Sequence, residues 1–132
     1  MNVFNSLIDQ SEVVEILKEA VKSAQKLNES SQVMTNTWLF TGPPGSGRSN
    51  AAIAFAAALV CKEGGCSKCS DCMSTIIGTH TDVELIKTEG LSLKIDEIRE
   101  LITRSSWAPS VASYRVVVIE DSDRLTESAA NA

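Results

Sequence analysis

Residues 37–60, "TWLFTGPPGSGRSNAAIAFAAALV", run from an apolar stretch through a glycine-rich turn into an alanine-rich stretch without a break. A short buried strand at 37–41 that passes straight into a turn and then a helix fits few architectures. The natural one is a parallel sheet with helices packed on its faces. Gly42, Gly45 and Gly47 let the backbone turn tightly and aim its N–H groups inward, which makes an anion nest at a helix N-terminus. Residues 42–49 follow the phosphate-loop pattern G-x-x-x-x-G-K-[ST], with Arg48 where the pattern has lysine. Pro43, Pro44 and Ser46 fill the loop, Ser49 offers a hydroxyl where Mg²⁺ would bind, and Asn50 leads into the helix. The plainer reading is a glycine turn that merely joins strand to helix. Arginine can pair with phosphate, but its planar fork is bulkier than an ammonium and delivers charge in another geometry. The loop therefore speaks for nucleotide binding more strongly than for hydrolysis.

Hydrolysis needs a second element: an apolar strand ending in an acid that orients Mg²⁺, often followed by one that positions water. "RVVVIED", residues 115–121, is such a run, continuous enough for a strand buried on both faces. Its acids stand in reversed order, Glu120 in the usual aspartate position and Asp121 in the usual glutamate position. One side chain is a methylene too long and the other a methylene too short, which weakens chemistry that depends on tight placement. Alone, the run would read as an ordinary strand with a charged turn. Following the glycine loop by about seventy residues, it reads as its partner.

"CKEGGCSKCSDC", residues 61–72, places Cys61, Cys66, Cys69 and Cys72 at C-x4-C-x2-C-x2-C. Four thiolates in one short loop can wrap a tetrahedral zinc and leave no open position, so the role is structural. His80 could replace one ligand and reads more simply as a loop histidine. Metal rather than disulfide follows from the expected compartment. "MNVFNSLIDQ" has no basic segment followed by an apolar run, so it is not a secretory signal. "AAIAFAAALVC" is too short to span a bilayer. The expectation is a cytoplasmic protein with reduced cysteines and no membrane contact.

The 132 residues suit one compact domain or part of a larger one, and 43% apolar residues suffice for a core. A net charge of −5 and a pI of about 4.8 exclude strong nucleic-acid binding through charge alone. A first helix is expected in residues 9–28, with Val13, Leu17, Ala20, Val21 and Ala24 on one face and Asp9 and Glu12 at capping-box spacing. Residues 28–36 read as a polar linker. "DVELIK", from Asp82, reads as a strand. "IDEIRELITRSS" reads as a helix with Ile95, Ile98, Leu101 and Ile102 along one side, and 107–114 as a loop. Another helix opens near Leu125, and the chain stops inside it at Ala132, so the sequence reads as the front of a longer protein. Alternating strands and helices give an α/β class with a mostly parallel sheet.

With these residues assembled, the chain resembles the bacterial DNA polymerase III clamp-loader AAA+ family, and within it delta-prime subunits of the actinobacterial type. "VFNSLIDQSEVVEILKEAV", "WLFTGPPGSGRS", "GTHTDVELI", "LSLKIDEIRELI" and "RVVVIEDSDRLTESAANA" occur in family order. The resemblance implies a P-loop NTPase three-layer sandwich, incomplete, of which residues 1–132 are the N-terminal part, with a zinc module inserted at about 61–72. It assigns Gly42, Gly45, Gly47, Arg48 and Ser49 to the phosphates, Glu120 and Asp121 to the acidic strand end, and the four cysteines to structural zinc. ATP or ADP with Mg²⁺, held by Ser49 and Glu120, is the implied nucleotide. The implied partners are other clamp-loader subunits (gamma/tau and delta), and through them the sliding clamp and primed DNA.

The departures count equally. Asp9 stands where the family's opening segment has glycine, the basic and aromatic stretch of the motor subunits is missing before Val3, and the first cysteine gap is short. Both nucleotide motifs are altered, which is similar to the stator-like delta-prime role. The expected function is therefore a subunit that hydrolyses ATP weakly or not at all and helps load the clamp during replication. The alternatives are an active gamma/tau-like ATPase, and a zinc-binding interaction module on a relic P-loop scaffold.

Overall fold

The computed structural model describes residues 2–7, 10–26, 37–42, 47–86, 99–100, 103 and 114–120. A 3-10 helix at Val3–Ser6 opens the chain, capped by Asn2, whose side chain accepts from the Phe4 N–H at 3.0 Å. Helices α1 (Ser11–Lys26), α2 (Arg48–Val60) and α3 (Ser70–Ile77) follow, then strands β1 (Val83–Ile86) and β2 (Val116–Ile119). The two strands pair in parallel with Val83 opposite Val116 and Ile86 opposite Ile119. Of the expected sandwich, the described residues thus contain helices and a small parallel sheet.

Helix α2 occupies the centre because its sequence is apolar all round. Ala51, Ala54, Phe55, Ala56, Ala57, Ala58 and Val60 are all buried. Small side chains on every face let neighbours approach closely, and α2 packs against the 3-10 helix, α1, α3 and β2. Two apolar clusters result. One joins Val3, Phe4, Leu17, Val21, Phe55 and Ala57 with Cys61 and Cys72; the other joins Ala56, Val60, Val83 and Val118 under the sheet.

The expected stripe of α1 is present with one correction. Leu17, Ala20, Val21 and Ala24 are buried, but Val13 is exposed, and Val14 packs against the core in its place. At 100° per residue Val13 still falls between Ala20 and Ala24 on the helix surface, so its exposure goes with its place in the first turn of α1 and not with a rotation off the face. Asp9 of the expected capping box lies outside the described residues, and Glu12 is exposed in the first turn.

The run at 37–41 also differs from expectation. Residues 37–42 belong to neither helix nor strand, since among the described residues the sheet consists of β1 and β2. The run still alternates: Trp38 and Phe40 are half-buried against Phe55, with ring centroids 5.3 Å and 6.4 Å away, while Leu39 is exposed. β1 and β2 fall inside the expected stretches, with Asp82 in the turn before β1. Arg99, Glu100 and Thr103 are helical, as expected for their segment; its apolar face, the linker 28–36 and the helix near Leu125 lie outside the described residues.

Candidate nucleotide cleft and metal centre

A cleft of about 880 Å³ opens between the segment 37–42, the first turns of α2 and strand β2. Gly42, Arg48, Ser49 and Glu120 all line it, so the chain's two altered motifs face one space. Local sequence explains the convergence. Gly47, at φ +85°, turns the chain in the left-handed region where a side chain would be strained, and α2 starts at the next residue. As a glycine N-cap it offers no side chain to the first-turn N–H groups, and such groups at a helix start can receive an anion. Glu120 follows the last residue of β2, and its N–H donates to the Ile86 carbonyl at 2.9 Å, extending the ladder by one bond. Asn50 is exposed on the first turn of α2 and is not on the cleft wall. Pro43, Pro44, Gly45, Ser46 and Asp121 lie outside the described residues.

The cleft has a wall that motif reading missed. Trp38, Phe40, Phe55 and Tyr114 line it, and Arg115 adds a second guanidinium, whose Nε is buried without a hydrogen-bond partner among the described residues. Tyr114 fixes this edge to α1 by donating its hydroxyl to the Ala24 carbonyl at 2.6 Å. The alternation of Trp38 and Phe40 about Leu39 was the available signal for part of this wall.

The four cysteines come together. Their Sγ atoms all lie within 4.8 Å of one another, with Cys61 3.8 Å from Cys66 and 3.7 Å from Cys69. A zinc held tetrahedrally at ~2.3 Å sets its sulfurs about 3.8 Å apart, so the donor set fits such an ion. The loop is built for anionic sulfur. Cys61 Sγ accepts from the N–H groups of Glu63 (3.4 Å) and Cys66 (3.5 Å), Cys66 Sγ from that of Cys69 (3.3 Å), and Cys69 Sγ from that of Cys72 (3.4 Å). Ser67, at φ +62°, makes the sharp turn between the second and third cysteines. Cys69 is also the N-cap of α3, so two sulfurs ride on that helix's first turn.

Burial pushes the Cys61 thiol up, but the N–H groups of Cys66, Gly65 and Glu63 outweigh it and bring it down to about 7. Burial raises Cys69 and, far more strongly, Cys72, with neighbouring thiols adding to the effect. A divalent cation supplies the positive charge that lets such a set ionise together.

His80 is not a fifth donor. Its ring is buried and both nitrogens are engaged: Nδ1 accepts from the Asp82 N–H at 2.9 Å, and Nε2 lies 3.1 Å from Asp71 Oδ1. Among the described residues no helix is long and apolar enough to cross a membrane.

Comparison with known proteins places the chain in a family. The family described as DNA polymerase III, delta subunit, matches residues 10–132. The chain is 32% identical over 101 residues to the DNA polymerase III subunit delta' of Bacillus subtilis (strain 168), covering 74% of this chain and 31% of that one. It is 28% identical over 134 residues to subunit tau of the same organism, covering 98% of this chain and 22% of the relative. Subunit gamma/tau of Mycobacterium tuberculosis (strain H37Rv) is 28% identical over 104 residues, 75% of this chain and 18% of the relative. The chain therefore spans less than a third of the length of these relatives. A match that takes in α1, the cleft, the cysteine loop and both strands means that the chain belongs to the DNA polymerase III delta-subunit family of clamp-loader proteins.

Proposed function

We propose that this protein is a clamp-loader subunit of DNA polymerase III that hydrolyses ATP weakly or not at all, with a zinc ion held by Cys61, Cys66, Cys69 and Cys72. The observation that carries this reading is that Arg48 and Glu120, the altered residue of each nucleotide motif, line the same cleft. A nucleotide bound there would place its phosphates near the N-terminus of α2, with Arg48 as the cation that would hold them and Ser49 and Glu120 as the residues that would hold Mg²⁺. Phosphoryl transfer depends on positioning, and both cation and acid are here carried on side chains of changed length and shape. The subunit then contributes structure, through neighbouring clamp-loader subunits, to opening the sliding clamp and placing it on primed DNA. Zinc supplies a cross-link for the loop and no reactive position.

Calorimetry with Mg-ATP and Mg-ADP on the protein and on Arg48→Lys, zinc present, tests the nucleotide half. Tighter binding by Arg48→Lys than by the unaltered chain is expected. Steady-state ATP turnover by the unaltered protein, abolished by Ser49→Ala, would replace this reading with that of an active gamma/tau-like ATPase. The sharing of one cleft by Ser49 and Glu120 is what keeps that second reading open.

A further inference from the structure

Helix α3 is eight residues long, and its outer side is bare. Met73, Ile76 and Ile77 are exposed, and among the described residues α2 is the element that packs most against the helix. Yet its first turn carries two of the four sulfurs, Cys69 as N-cap and Cys72 one turn in. Metal sites tolerate only about 0.2 Å of error in ligand distance, so a rocking first turn would cost affinity.

A side-chain link among the described residues ties that turn to the entry of β1. Asp71 stands between the two cysteines, with its side chain partly exposed, and meets the buried His80 at 3.1 Å. His80 is fixed in turn from β1's side, because the Asp82 N–H donates to its Nδ1 at 2.9 Å. With Nδ1 as acceptor, Nε2 carries the hydrogen and donates it to Asp71, so the ring bridges α3 and the entry to β1 in one tautomer. Asp71 has backbone ties of its own: its carbonyl accepts from Thr75 Oγ1 at 2.7 Å, and Thr75 is fully buried.

We propose that His80 is a positioning residue for the four-cysteine metal site, acting through Asp71 to hold the α3 turn that carries Cys69 and Cys72. The inference rests on reading the cysteines as a metal site, and it assigns to that site two residues that are not ligands. Outer-shell partners commonly change metal affinity by about 10–100-fold. The link here runs through the helix backbone and not to a sulfur, so the lower end applies.

The test separates the two bonds of the ring. His80→Gln keeps a donor at the Nε2 position and loses the Nδ1 acceptor; His80→Asn does the reverse. Asp71→Ala cuts the link at its partly exposed end, where the fold has least to lose. Zn²⁺ affinity is measured by competition with a chromophoric chelator, and the site is read directly from the Co²⁺–thiolate absorption. His80→Asn, His80→Gln and Asp71→Ala are each expected to weaken zinc about tenfold and to perturb the cobalt spectrum, since each cuts the bridge at one of its bonds. If the unaltered protein shows a tetrahedral thiolate spectrum and Asp71→Ala binds zinc as tightly, the positioning role is overturned while the metal site stands. Zinc binding as tight as the unaltered protein's in both His80→Gln and His80→Asn would also overturn it, since the bridge would not be what holds the turn. No thiolate spectrum in the unaltered protein would remove the metal reading, and this inference with it.

Discussion

Two glycines at positive φ separate strain from crowding. Gly47 has φ +85° and, among the described residues, open space around a built Cβ, so alanine there meets the backbone penalty of the left-handed region, about 1 kcal/mol. Gly65, at φ +108°, would place its Cβ 2.7 Å from Val3 Cγ2 and 3.2 Å from Ala58 Cβ, and its carbonyl accepts from the Val3 N–H at 2.9 Å. Val3 and Ala58 are both buried, so neither can give way. Gly65→Ala is expected to cost about 2–3 kcal/mol and Gly47→Ala about 1, a difference that urea melts resolve. The thiols make a second prediction at this scale. Metal binds thiolate, and at neutral pH the raised Cys69 and Cys72 are still protonated, so each must release a proton on binding. Zinc affinity should therefore rise with pH through the neutral range. The slope should steepen below about pH 7, where Cys61 has a proton to lose as well. A flat affinity between pH 6 and 8 would contradict this assignment of protons.

At the scale of elements, α1 offers the clearest contrast between what patterning shows and what packing decides. Leu17 is 2% exposed and packs in the core shared with the 3-10 helix and α2, whereas Val13 is 36% exposed. Leu17→Ala is expected to lower stability by about 2–4 kcal/mol, and Val13→Ala by less than about 0.5. Near-equal losses in thermal melts would mean that the face is misassigned. The apolar period marked this helix, but Val13 and Val14 are neighbours in sequence, and the pattern alone does not say which of them closes the stripe. β1 and β2 were legible because "VELI" and "VVVI" are rich in apolar, β-branched residues. The run at 37–42 was legible in its alternation and not in its pairing, since a ladder depends on a partner strand that local sequence does not name. The cysteine spacing announced a metal loop because chelation is local, and the four sulfurs do meet. The Asp71–His80 bridge was hidden for a related reason. One member lies in α3 and the other in the loop beyond it, and only packing brings them within 3.1 Å.

At the scale of the whole molecule, the cysteine loop joins one of the two apolar clusters and, among the described residues, not the other. Cys61 and Cys72 are buried in the cluster that holds Val3, Phe4 and Leu17, while the sheet packs on Ala56 and Val60 in the second. The loop 61–66 is moreover where the rest of that first unit attaches. Val3 N–H donates to the Gly65 carbonyl at 2.9 Å, and Gln25 Nε2 to the Lys62 carbonyl at 3.2 Å, so the N-terminal segment and α1 are both tied to it. A metal that closes the loop then stabilises the fold by removing freedom from the segment on which these contacts depend. Chelation should lower the melting temperature, by about 3–4 °C for each kcal/mol of stability lost. Hydrogen exchange should place the loss unevenly. Amides of Val3–Leu7 and of the cysteine loop should lose protection first, while the ladder amides of β1 and β2 keep theirs, because the second cluster makes no use of the thiolates. Uniform loss across both clusters would show that the metal supports one cooperative unit, and unchanged exchange at Val3 would show that the N-terminal segment holds to the loop without it.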